Sequence, residues 1–371
     1  MKRSGAESLS GWLDRFPRAE AIPFQVNRRI LYRVSDLYRG YNPELPESWK
    51  NTFDRRVYEW TLDPSTDEAR HLKPYEAVAE RLHDTAIGQA IGRFLDKEHR
   101  QSRKPVVGFM GGHDTDRDKP EFRAVARIAR ALRKLDFTIV SGGGPGLMEA
   151  ANFGAFMAAC TERQFNIALD TLAARPKASD NTKWIASAAQ VRAQVLPRWN
   201  APELAGSSSL GIPTWYYGNE PPNLFASHTG KYFFNSIRED GLVSIANGGI
   251  IFGPGKAGTV QEIFQDTTLN FYRKRATPPP SLMVLLGVDF WNPDPNLSTE
   301  SPPDPDRKPV YPLLSTLATQ ARHKFSSALL LTDNTDEVVE FIAGAHRVSG
   351  VADAAPTGRS ARFKGRALAA L

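Results

Sequence analysis

The sequence predicts an α/β protein with a doubly wound, mostly parallel sheet, and three observations predict it. Short apolar runs recur between residues 105 and 345, among them Val106-Val107-Gly108-Phe109-Met110, residues 137–140 and Ile250-Ile251-Phe252; each suits a buried strand. Each run leads into glycine: Gly111-Gly112, Gly142-Gly143-Gly144 and Gly253-Pro254-Gly255. Between the runs, apolar residues fall at helical spacing, as in Phe122, Val125, Ala129, Leu132 and Leu135. Strands alternating with helices imply parallel pairing with helices covering the faces, and a ligand site along the glycine-bearing edge.

Residues 1–104 mix stretches such as Asn42-Pro43-Glu44-Leu45-Pro46 with one clear helical stripe, Val78, Leu82, Ala86, Ile87, Ile91, Phe94 and Leu95. They read as a helical extension docked on the core, with the polar run at 97–104 as linker. The core, residues 105–345, opens with the strand at 106–110, the helix over 122–135 and the strand at 137–140. Pro145 then starts a helix, where its missing N–H costs nothing. A third strand is expected at 166–169, a helix at 184–196 within a partly inserted region, and a strand at 210–217. A loop at 218–223 leads to a helix containing Tyr232, Phe233, Ile237 and Arg238. After the strand at 250–252, Gly258-Thr259 opens a helix with Val260, Ile263 and Phe264 on one face. A strand at 282–286, a helix at 313–325, a strand at 329–331 and a helix at 336–345 capped by Asp333 or Asn334 complete the core. Residues 346–371, rich in Ala, Gly and Arg, carry too little apolar periodicity to fold alone and read as a basic tail.

The 371 residues are 41% hydrophobic and 24% charged, ordinary for a globular protein. No apolar run approaches the ~20 residues of a membrane span. The N-terminus lacks a signal-peptide core, so a cytoplasmic protein without a membrane partner is expected. The single cysteine, Cys160, has no partner for a disulfide or zinc site and reads as packing. A net charge of +6 suits an anionic partner. Much of that excess lies in Arg347, Arg359, Arg362, Lys364 and Arg366 near the C-terminus, so nucleic acid is not the expected partner.

One glycine turn says little, because tight strand-to-helix connections need glycine anyway. Three converging on one sheet edge, two of them opening helices, favour a phosphate-bearing ligand held by free amides at a positive helix end. The spacing is neither G-x-G-x-x-G nor G-x-x-x-x-G-K-[ST], so a mononucleotide fits better than NAD or ATP. No bound cofactor and no metal is expected, since His113 and His228 lack ligand spacing. Trp215, Tyr216 and Tyr217 either stack a nucleobase or pack in the core.

Two stretches carry a family resemblance. Gly142-Gly143-Gly144-Pro145-Gly146-Leu147-Met148 resembles a G-G-G-x-x-G-L-M motif. Pro254-Gly255-Lys256-Ala257-Gly258-Thr259-Val260-Gln261-Glu262 resembles P-G-G-x-G-T-x-x-E, with Lys256 at the second glycine. Both motifs belong to the LOG family, Rossmann-like enzymes that release the base from nucleoside 5′-monophosphates, and the likeness spans roughly residues 105–345. It implies that Glu262 and Arg238 form a catalytic pair. Arg238 corresponds by position only, since Asn235-Ser236-Ile237-Arg238-Glu239-Asp240 departs from the plant-type M-H-x-R-K. The substrate-binding residues expected at the three glycine turns are Gly111, Gly112, His113, Gly143, Gly144, Met148, Glu149, Gly255, Lys256, Gly258 and Thr259, and the assembly the resemblance implies is a homodimer.

Each assignment has a plainer alternative. Arg238 pairs equally well with Glu239 or Asp240 on a surface, leaving Lys231 as second choice for the cation, and Glu262 and Glu149 both suit helix first-turn acids. Two other functions compete with the hydrolase: a non-catalytic nucleotide sensor on the same fold, and a DNA-binding protein of related fold. Similar proteins have been labelled lysine decarboxylases, but no residue identifies a pyridoxal phosphate lysine.

Overall fold

The sheet of the computed structural model is parallel throughout. Its strands are β1 (Val106–Met110), β2 (Thr138–Ser141), β3 (Ser209–Gly211), β4 (His228–Thr229), β5 (Gly249–Phe252), β6 (Met283–Leu286) and β7 (Leu329–Thr332), ordered β4-β3-β2-β1-β5-β6-β7. The structure describes residues 22–66, 68–102, 105–216, 221–275, 279–293 and 306–352. Strands β1, β2, β5 and β6 are buried along their whole length. A strand covered on both faces needs a continuous apolar run and not an alternating one, which is why these four stand out in the sequence.

The extension contributes α1 (Phe53–Trp60) and α2 (Pro74–Ser102); the core adds α3 (Pro120–Lys134), α4 (Leu147–Phe156), α5 (Glu162–Ala173) and α6 (Asn181–Val195). Then follow α7 (Asn235–Ile245), α8 (Ala257–Phe271), α9 (Tyr311–Gln320) and α10 (Thr335–Ala352). Helix α3 packs against both α4 and α10, while α8 packs with α7 and α9. Helices α3 and α4 approach so closely that a Cβ on Gly154 would lie 2.2 Å from the Ala126 carbonyl oxygen, which only glycine permits. Phe24, Tyr32, Phe53, Ile87 and Phe94 of the extension belong to the same apolar core as the sheet. Tyr32 also pairs with Thr229 through two backbone hydrogen bonds of 2.9 and 2.8 Å, so the extension covers the open edge at β4.

Several sequence expectations are corrected. Residues 166–169 lie inside α5, not in a strand; Thr161 and Gln164 form a reciprocal cap, and Phe165, Ala168, Leu169 and Leu172 bury one helical face. The strand expected at 210–217 stops at Gly211, because Pro213 has no N–H for the ladder. Tyr232 and Phe233 precede α7 instead of lying within it. The polar run at 97–104 is no linker over the residues seen, since α2 continues to Ser102. Helix α10 likewise runs into the tail as far as Ala352. Tyr217 and the loop at 218–220 lie outside the described residues. No helix among the described residues is long and apolar enough to cross a membrane.

Candidate active site

Strand order places β1 next to β5, the point where successive connections begin to run in opposite directions from the sheet centre. The crevice between the C-terminal ends of two such strands is where ligands of doubly wound sheets bind. Both strands end in glycine turns that are tied to each other: the Gly253 N–H donates to the Met110 carbonyl (2.9 Å) and the Gly112 N–H to the Pro254 carbonyl (2.8 Å). The third turn joins them through Leu147, whose N–H donates to the Gly112 carbonyl at 3.0 Å. A Cβ on Gly111 or Gly253 would stand 2.6 or 2.4 Å from the Leu147 side chain, so the glycines make room for this plug.

A cleft of about 620 Å³ opens there. Its wall includes Gly111, Gly112, His113, Gly144, Met148, Arg238, Lys256, Gly258, Thr259 and Glu262, all singled out from the sequence. Sequence reasoning missed Glu239, Gln261 and Thr214, which also line it. Glu239 entered the sequence reading only as a surface partner for Arg238, and nothing local distinguishes Thr214.

Gly143, Gly255 and Glu149 do not line the cleft. Gly143 has φ +74 and no space for a side chain beside Pro213, so it shapes the turn. Gly255 lies beneath Thr259, where a Cβ would fall 2.2 Å from the threonine oxygen. Glu149 is fully buried and accepts hydrogen bonds from Arg117 Nη2 (2.6 Å), Arg117 Nε (2.8 Å) and Trp184 Nε1 (3.0 Å). Its expected contact with a ligand is therefore replaced by an internal ion pair. Lys231 is likewise buried, 2.6 Å from Asp54. Trp215 packs in the core with its indole donating to Asp54 (2.9 Å), and Tyr216 donates to Glu80 (2.8 Å), which leaves neither ring in the cleft. His228 belongs to β4, where it contacts Arg33 and Ser227.

The cleft is chemically asymmetric. Helix α8 begins at Ala257 with no side-chain cap; its first amides have no intrahelical partners, and its first residues, Ala257, Gly258 and Thr259, line the cleft. Lys256, which lines the cleft, pairs with Asp114 at 2.7 Å, and both side chains are substantially exposed. Burial alone would raise the Asp114 carboxyl, but the hydrogen bond from Lys256 holds it below its usual range; the same bond raises Lys256.

Deeper in, Arg238 is buried; its Nε donates to Asn235 Oδ1 at 2.8 Å and its Nη2 lies 3.3 Å from Glu239 Oε1. Its guanidinium crosses the β2 turn, where a Cβ on Gly142 would stand 3.0 Å from Nη1. Glu239 also accepts from Gln261 Nε2 at 2.9 Å, which ties α7 to α8. Glu262 is 7% exposed, faces the cleft, and makes no side-chain hydrogen bond among the described residues. Burial pushes its carboxyl up to about 7, with Arg238 acting against that rise and Glu239 adding to it. Among the described residues no group of three or more His, Cys, Asp or Glu is placed to hold a metal ion.

No family model and no curated protein matches the chain. Among solved structures, a molybdenum cofactor carrier protein from Chlamydomonas reinhardtii aligns over 67% of this chain and 99% of its own, at 13% identity and a TM-score of 0.37. A molybdenum cofactor binding protein from Rippkaea orientalis aligns over 66% and 98%, at 15% identity and a TM-score of 0.35. Likenesses of that strength carry no functional information.

Proposed function

We propose that the protein hydrolyses the N-glycosidic bond of a nucleoside 5′-monophosphate, giving the free base and ribose 5-phosphate. The observation that carries this reading is Glu262, a buried carboxyl without a hydrogen-bonding partner among the described residues, in a cleft that also offers an uncapped helix N-terminus and a buried guanidinium. A buried acid of this kind is costly to keep, and such groups concentrate where chemistry requires them. The phosphate docks on the amides of residues 257–259 beside the Thr259 hydroxyl, with Lys256 adding charge at the mouth. This anchor sets C1′ about one helical turn deeper, at the level of Glu262.

As the bond from C1′ to the base nitrogen breaks, positive charge develops on the ribose, and ionised Glu262 opposes it. A water oxygen bonds to C1′, the water proton passes to Glu262, and the base leaves with the bonding electron pair and takes up a proton. Arg238 orients the substrate or steadies the departing base. A carboxyl held near 7 suits a group that must exist as a base and then carry a proton at neutral pH.

The test is incubation of the protein with AMP, GMP, IMP, CMP and UMP, and with the matching nucleosides, followed by chromatography for free base. Cleavage of a monophosphate with little cleavage of its nucleoside supports the reading. Equal kcat/KM for the two refutes it, as does the absence of base from every nucleotide.

A further inference from the structure

The described part of the segment between β3 and α7 forms one wall of the cleft through Pro213 and Thr214 and leads into α7, which carries Arg238 and Glu239. Three acids of the N-terminal extension hold it. Asp54 accepts from the Trp215 indole (2.9 Å) and from Lys231 (2.6 Å), and Glu80 accepts from the Tyr216 hydroxyl (2.8 Å). Asp84 takes the last position, at the start of α7 itself: its Oδ1 lies 2.9 Å from the Phe233 N–H and its Oδ2 lies 2.9 Å from the Phe234 N–H. Phe234 is the N-cap of α7, and its carbonyl accepts the Arg238 N–H at 3.3 Å. One path therefore runs from the Asp84 carboxylate through a single residue, Phe234, whose N–H donates to Asp84 and whose carbonyl accepts from the backbone of Arg238.

Asp84 is itself oriented. His83 Nδ1 lies 3.2 Å from Asp84 Oδ1, and His83 Nε2 lies 2.9 Å from the Tyr32 hydroxyl. Burial lowers the affinity of this imidazole for a second proton, against the pull of Asp84, and a neutral ring has one donor and one acceptor. Since the carboxylate only accepts, Nδ1 carries the proton and Nε2 accepts from Tyr32. Tyr32, His83 and Asp84 all belong to the extension, and all three are buried. Asp84 also supplies what α7 lacks, since Phe234 gives it no side-chain cap.

We propose that Asp84 is a positioning residue for the reaction, fixing through the first amides of α7 the angle at which Arg238 reaches into the cleft. The N-terminal extension is then part of the active-site framework. This rests on the hydrolase reading above, and the experiment separates the two. Parent, Asp84→Asn, Arg238→Ala and the Asp84→Asn/Arg238→Ala double variant are assayed as full-length proteins with the nucleotide panel, and their melting is followed in parallel. Asp36→Asn serves as control, because among the described residues the Asp36 side chain bonds only to Arg28 and Arg33, both within the extension.

Asp84→Asn should stay folded at the assay temperature and lose on the order of 10-fold to 100-fold in kcat, with KM little changed. The double variant should be no slower than Arg238→Ala alone, the non-additivity expected of residues acting as one unit. A full additional loss in the double variant overturns the proposal, as does parent-like kcat in Asp84→Asn. Unfolding of Asp84→Asn with Asp36→Asn intact also overturns it, since the carboxylate would then serve the fold alone. If the parent cleaves no nucleotide, the hydrolase reading falls by itself, and the AMP dissociation constants of the same proteins, measured by calorimetry, decide the positioning role by the same non-additivity. A parent that neither cleaves nor binds AMP overturns both.

Discussion

Helices α4 and α8 begin alike, each after a strand and a glycine turn at the same sheet edge, and each carries a glutamate near its start: Glu149 and Glu262. Both acids are buried. Glu149 is saturated by Arg117 and Trp184, whereas Glu262 faces open space with no hydrogen-bonding partner among the described residues. The lesson is that a glycine turn followed by a helical acid describes a place, and the partner decides its use. A paired acid holds helices together, and an unpaired one is available to a ligand.

The largest effect that tests this contrast is expected at Glu149. Glu149→Gln leaves the Arg117 guanidinium buried without its counter-charge, which should cost about 3–5 kcal/mol in urea denaturation. Turnover per folded molecule should match the parent. A stable Glu149→Gln protein with lost turnover would exchange the roles of the two acids.

Glu262→Gln should do the reverse, lowering kcat by at least ~10²-fold while leaving KM nearly unchanged. Its stability should rise. The folded carboxyl is held near 7 against an ordinary value of 4.5, so the folded protein binds the extra proton in that window, and stability is lost as pH climbs from 4.5 to 7 and stays lost above it. Glutamine cannot ionise and escapes that loss. The gain at pH 8 should approach the order of 3 kcal/mol and vanish near pH 4, as melting at both pH values will show. A variant that melts lower at pH 8 would mark Glu262 as an ordinary helix acid.

The pH profile sharpens the same point. If ionised Glu262 is the working form, kcat/KM should rise through about pH 7 and level off above it. Residual activity of Glu262→Gln should lack that inflection. A profile already flat at pH 5 would move the base elsewhere.

The smallest effect belongs to the exposed pair at the cleft mouth. Lys256→Ala should raise KM for a nucleoside monophosphate by less than about tenfold, with kcat unchanged and the effect fading at high salt. A fall in kcat would bring Lys256 into the reacting centre.

Much of the fold was legible because the central strands and their helices advertise themselves locally. β1, β2 and β5 are buried on both faces and so read as apolar runs, and α3 shows its buried stripe in Phe122, Val125, Ala129 and Leu132. The described part of the region from 212 to 234, residues 212–216 and 221–234, was not legible. Its course follows Asp54, Glu80 and Asp84, acids more than a hundred positions away in the chain, and no local pattern reports such partners. α5 was misread for a different reason, since four residues of an apolar stripe seen alone resemble a strand until the Thr161 cap is included.

The sequence by itself determined the α/β class, the glycine turns and the residue types brought to them, because turn geometry, helix capping and strand burial are short-range demands that each segment must satisfy. Only the tertiary structure decided which charged side chains are paired. Arg117 reaches Glu149 from an adjoining loop, Glu239 joins Arg238 to Gln261, and Glu262 alone of the two helical acids is left facing the cleft. The physical reason is that a charge is stabilised or exposed by whatever lies within a few ångströms of it, and in a folded chain those neighbours come from residues that sequence distance does not reveal.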